Sequence, residues 1–84
     1  MIAIPMHTDY SANRERIKGD TLPCVVCGRA CKNPVWMLHL WGGNDAVTED
    51  EASTLNPNAD MGMYPVGSDC LRKHPELKQY AIRQ

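Results

Sequence analysis

What most constrains this chain is a pair of cysteines closed into a turn, Cys24-Val25-Val26-Cys27-Gly28, answered far downstream by a third in Gly67-Ser68-Asp69-Cys70. Two cysteines separated by two residues and followed by glycine make a knuckle that can grip a metal ion, and glycine after the second one suits a tight turn with positive φ. Ser68 can cap a helix and Asp69 suits its first turn, which sets Cys70 near a helix start, where the dipole favours thiolate. A structural zinc ion takes four nitrogen or sulfur ligands in a tetrahedron. Cys24, Cys27 and Cys70 offer three of them, and the expectation is one structural Zn2+ joining the knuckle to the downstream segment.

Size makes such a staple useful. At 84 residues the chain is expected to be one domain, with a core that is marginal without help. It has two Trp, three Tyr and no Phe, so the core must lean on Leu, Val, Ile and Met. The N-terminal segment has no basic flank or long apolar run, so no signal peptide is expected. No stretch approaches the ~18 apolar residues of a membrane span. These features point to a reducing cytoplasm, where four cysteines read as metal ligands before they read as disulfides.

In order, residues 1–20 read as an N-terminal arm (an edge strand or a loose segment) followed by a short helix. Ser11 would cap that helix, which would run from Ala12 to Lys18 and end at Gly19. Residues 21–84 read as the zinc-binding domain, a single folding unit. After the knuckle, Arg29 to Lys32 should return as a short strand and Asn33-Pro34 as a turn. Val35 to Trp41 is the best strand in the chain, bounded by Pro34 and by Gly42-Gly43. Alternation sets Val35, Met37, His39 and Trp41 on one face and Trp36, Leu38 and Leu40 on the other. Asn44 to Asp60 holds acidic residues and no Lys or Arg, and reads as a long surface excursion in which Thr48 could begin a helical turn. Met61 to Gly67 reads as a second strand. A helix should follow from Ser68, and a further short one from Pro75 to Ile82.

The fourth zinc ligand has three candidates. His39 lies inside the apolar strand, where an imidazole needs a partner that either zinc or a hydrogen bond could supply. His74 follows Cys70 by four residues, but its place before Pro75 argues for a helix end. Cys31 lies four residues beyond Cys27 and is otherwise a plain thiol. His39 is preferred, with His74 next.

The order of knuckle, strand, strand and helix with a cysteine at its start resembles a treble-clef zinc finger. More narrowly, Cys24 to Gly28, Val35 to Gly43 with its central His39, and Tyr64 to Lys73 resemble small, uncharacterised zinc-finger-like proteins encoded by bacteria, their plasmids and phages. The likeness covers about residues 21 to 75. It implies a small α+β zinc-stabilised domain, treble-clef-like, with a zinc knuckle, a β-hairpin and a C-terminal helix, preceded here by a short N-terminal helix. It also implies the ligand set Cys24, Cys27, His39 and Cys70. Cys31 departs from the pattern, which usually carries an aliphatic residue there.

An enzyme is not expected. A redox dithiol would want a thioredoxin-like βαβ context, which is absent, and an iron–sulfur site would need Cys31 as its fourth cysteine. A catalytic zinc needs an open position and a nearby base, and neither Glu49 nor Asp69 has a convincing spacing. Gly42-Gly43 lacks the surroundings of a phosphate loop. Nine basic residues against ten acidic ones give a net charge of −1, not the footprint of a protein that holds nucleic acid by charge alone. The reading is therefore a zinc-stabilised protein-interaction module. With the resemblance, it extends to an accessory or inhibitory protein of a phage or plasmid that binds a host protein, with the acidic stretch facing a basic surface. The alternative is a nucleic-acid-binding regulator using Arg14, Arg16, Lys18, Arg29 and Lys32, or Arg72, Lys73 and Lys78, on phosphates.

Overall fold

The computed structural model describes residues 1–5, 10–17, 21–31 and 36–83. Along these run β1 (Ile2–Ala3), α1 (Tyr10–Arg16), β2 (Leu22–Pro23), β3 (Ala30–Cys31), β4 (Trp36–Trp41), β5 (Asp45–Ala46), α2 (Glu49–Ala52), β6 (Asp60–Val66), α3 (Ser68–Lys73) and β7 (Ala81–Arg83). Short 3₁₀ turns occupy Pro57–Ala59 and Pro75–Leu77. The result is a small α+β domain with antiparallel sheets. The expected Val35 strand start, the Lys18-Gly19 helix end and the Asn33-Pro34 turn lie outside the described residues.

The apolar strand β4 organises the main sheet. β6 pairs antiparallel along one of its edges, from Trp36↔Val66 to Trp41↔Asp60. The other edge is shared between β7, at Trp36 to Leu38, and β5, at Leu40 and Trp41. β1 adds to β5 through Ile2↔Ala46. The alternation read from sequence holds along β4. Leu38 and Leu40 are fully enclosed, in one cluster with Val25, Val26, Ile4 and Leu77, and the opposite face carries Met37, His39 and Trp41. Met61 is an extra residue where the register with β4 shifts, and Gly62 beside it takes φ 88°, a conformation glycine adopts at little cost.

Several expectations change. Of the two readings of the opening residues, the edge strand is the one found: β1 adds to the edge of the main sheet, and Ile4 is buried in the same core as residues of the later segment. Helix α1 begins at Tyr10 rather than Ala12, and the Tyr10 ring packs edge-on against Tyr64, with centroids 5.0 Å apart. The stretch from Asn44 to Asp60 is not a bare excursion. Within this polar run, Ala46 and Val47 are fully buried beside β4. The helix expected over 75–82 is replaced by the turn at Pro75–Leu77 and by β7. The turn sends Leu77 into the core and delivers Ala81–Arg83 to the open part of β4. Among the described residues, no helix is long and apolar enough to cross a membrane.

The short helix α2 does start where Thr48 suggested. The Thr48 hydroxyl accepts from the Glu51 N–H at 3.2 Å, and the Glu51 carboxylate accepts from the Thr48 N–H at 3.1 Å, a reciprocal capping box. Thr48→Ala should therefore cost about 0.5–2 kcal/mol. The expected readout is a lower urea midpoint with an unchanged slope.

Candidate metal centre

The knuckle is held from below by a two-stranded ribbon. β2 and β3 pair as Leu22↔Cys31 and Pro23↔Ala30, and the Cys24 N–H extends the ladder by donating to the Arg29 carbonyl at 2.8 Å. The Gly28 N–H closes the turn onto the Cys24 carbonyl at 2.9 Å, with Gly28 at φ 79°. The two residues between the cysteines are valines for a packing reason, since both side chains are buried in the core. The Val25 N–H also donates to the Pro65 carbonyl at 2.9 Å, which ties the knuckle to β6.

Cys70 arrives on α3. The N-cap of this helix is Gly67 rather than the expected Ser68, and it makes no side-chain cap. Its N–H instead donates to the Cys24 sulfur at 3.2 Å. The Cys24 and Cys70 sulfurs stand 3.6 Å apart. With Cys27 they form a group whose sulfurs all lie within 4.8 Å of one another, close enough to hold a metal ion. Cys24 and Cys70 are buried, Cys27 is half-buried, and none of the cysteines forms a disulfide.

The electrostatics of the group favour one thiolate and resist more. The Cys24 thiol is pushed down to about 4, first by the hydrogen bond from the Cys31 thiol and then by the N–H groups of Cys27, Gly67 and Val26, against the effect of burial. Burial, followed by the neighbouring Cys27 and Cys24, pushes Cys70 up to about 12. Cys31 is also raised, by its bond to Cys24 first and then by burial. Crowded sulfurs cannot all ionise alone, and a bound cation reverses that balance. A set of thiols with backbone N–H groups aimed at one sulfur thus fits a metal ion chemically.

Among the described residues, the histidines lie elsewhere. His39 is on the face of β4 opposite Leu38 and Leu40, so it does not reach the group that the knuckle forms with α3. Its Nε2 is 2.7 Å from the Asp60 Oδ1, its ring lies 5.4 Å from that of Trp41, and its Nδ1 is buried without a hydrogen-bond partner. The Asp60 carboxyl is held below its ordinary value by the His39 ring first and then by the Gly62 N–H, which donates to it at 2.8 Å. A carboxylate is thus the partner of one ring nitrogen of this histidine. His74 caps the C-terminal end of α3, with Nδ1 3.7 Å from Glu76 Oε1, and it too stands outside the cysteine group. Cys31 lies close by: its sulfur is 3.7 Å from the Arg29 carbonyl, and it borders Gly67 as the Cys24 sulfur does. The sequence reading did not single out Asp60 or the Gly67 N–H. The spacing Asp60-Met61-Gly62, compatible with an aspartate turn, was the one available signal for the former. Neither a family model, nor a curated protein, nor a solved structure matches this chain.

Proposed function

We propose that this chain is a zinc-stabilised protein-interaction module of treble-clef type. Zinc is favoured by the donor set and by spacing. With Zn–S bonds of about 2.3 Å, a tetrahedron has sulfur–sulfur edges of roughly 3.8 Å. The 3.6 Å between Cys24 and Cys70 is close to such an edge. The treble-clef reading is supported by the order of knuckle, antiparallel pair β4 and β6, and a helix that carries Cys70 in its first turn.

The observation that carries the interaction role is an apolar strip on the sheet face turned away from the cysteines. Met37 and Ile82 lie side by side on β4 and β7, both half-buried, and the next row holds His39 and Met63. Met63 is 42% exposed. Apolar side chains gathered on a solvent-facing surface mark contact sites. The described cations are instead distributed over α1, α3, β7, the loop before β3 and the segment after the Pro75–Leu77 turn, and Arg72 is paired with Asp69. Exposed Glu49 and Asp50 suit a partner with a basic surface, in keeping with an accessory or inhibitory role directed at a host protein.

The test is a pair of measurements. Titrating labelled single- and double-stranded DNA and RNA over a range of salt should show no tight, salt-steep binding. Cross-linked capture of a protein from the native host should be lost in Met37→Glu/Met63→Glu. Tight nucleic-acid binding that weakens steeply with salt would reverse the assignment in favour of a regulator.

A further inference from the structure

We propose that Cys31 supplies the fourth sulfur, closing a four-thiolate site with Cys24, Cys27 and Cys70. This rests on the zinc reading above and deepens it.

The argument starts from register. Cys31 lies opposite Leu22 in the ribbon, and Cys24 is two residues beyond Leu22 on a strand whose ladder continues to Arg29. Side chains two apart on a strand share a face, so Cys24 and Cys31 are diagonal neighbours on the same side of the ribbon. Gly67 gives an independent measure. A methyl group at its Cα would lie 3.8 Å from the Cys24 sulfur and 3.8 Å from the Cys31 sulfur, so both sulfurs border the space that this glycine leaves empty. The same residue sends its N–H to Cys24, and it immediately precedes the helix that presents Cys70. Of the described residues, His39 is bonded to Asp60 and His74 stands near Glu76.

Cys31 is not within the mutual 4.8 Å set of the other three. Ligation requires the Cys31 thiol to give up its proton and its contact with the Arg29 carbonyl, 3.7 Å away. Zinc binding then releases the thiol protons to water and leaves four thiolates around one divalent ion. No coordination position stays open, which makes the centre structural rather than catalytic.

The experiment uses the full chain loaded with zinc. A brief pulse of a thiol-alkylating reagent, mapped by mass spectrometry, should leave all four cysteines protected, and chelation should release them together. Protection of Cys24, Cys27 and Cys70 with Cys31 modified at the rate of a free thiol would overturn the fourth-sulfur assignment and leave the zinc reading standing. Rapid modification of all four would overturn both.

Cobalt substitution separates ligation from simple burial. Cys31→Ser should lose about one quarter of the sulfur-to-cobalt charge-transfer absorbance, as one of four thiolates is removed. It should also weaken zinc binding by at least the ~100-fold that even an outer partner of a ligand can be worth. His39→Ala and His74→Ala should leave the cobalt spectrum unchanged. An unaltered spectrum in Cys31→Ser would sink the proposal, and the alkylation pattern of the unmutated chain decides the matter if that variant does not fold.

Discussion

Chelating the metal should unfold this chain. The three gathered sulfurs join elements far apart in sequence: a turn on a two-stranded ribbon, and the start of a helix after β6. A structural zinc contributes on the order of 10–16 kcal/mol of apparent free energy at neutral pH. A whole small domain is stable by only about 5–15 kcal/mol. Losing the first quantity leaves nothing of the second. The expected result on adding a strong chelator is loss of the far-ultraviolet signal, with a change in emission from Trp36 and Trp41, reversed by stoichiometric zinc. Cys24→Ser should behave like the chelated protein even in excess zinc. Because the ligands must be thiolates, acid should have the same effect as the chelator. A chain that stays folded without metal would show that the valines of the knuckle and the strands of the main sheet suffice alone.

Leu38→Ala should be the most damaging change away from the cysteines. Its side chain is fully enclosed on the central strand, opposite Tyr64 on one neighbour and Ala81 on the other. Removing such a side chain costs about 2–5 kcal/mol, because the cavity closes only in part. For a domain of this length each kcal/mol lowers Tm by roughly 4–8 °C. The zinc-loaded variant should therefore melt at least about 10 °C below the parent. Met63→Ala, one residue away on the partner strand but exposed, should stay within about 0.5 kcal/mol of it. Equal losses at both positions would mean that the buried face is not the one assigned.

The part of the site that could be read from sequence is the part written in local spacing. The knuckle needs only its own turn, and Cys70 sits in the first turn of a helix that begins within a residue of where Ser68 and Asp69 suggested. The same holds for β4, whose period of two places Leu38 and Leu40 inward without reference to the rest of the chain. What local spacing does not reveal is which face of β4 the knuckle packs on. Val25 and Val26 choose the Leu38 side, and that choice parts His39 from the cysteines and leaves it to Asp60 on β6. Distant pairing decides the other departures too. A segment with helix-like signals, Pro75 to Ile82, becomes a turn and a strand because β4 has an open edge to fill. A polar stretch gains buried Ala46 and Val47 because the remainder of that edge is filled from there.

That shared edge also imposes an order of events. Trp36 to Leu38 pair with a strand ending at Arg83, whereas Leu40 and Trp41 pair with residues only a few positions downstream. During synthesis β4 can acquire β5 and then β6 early, but half of its remaining edge stays bare until residue 83 has been made. Contacts that far apart in sequence are the slow ones to form. The nascent chain therefore carries an apolar strand with one unpaired flank for as long as it takes to make the segment bearing Cys70, so that the last strand and the last sulfur reach the fold at nearly the same time.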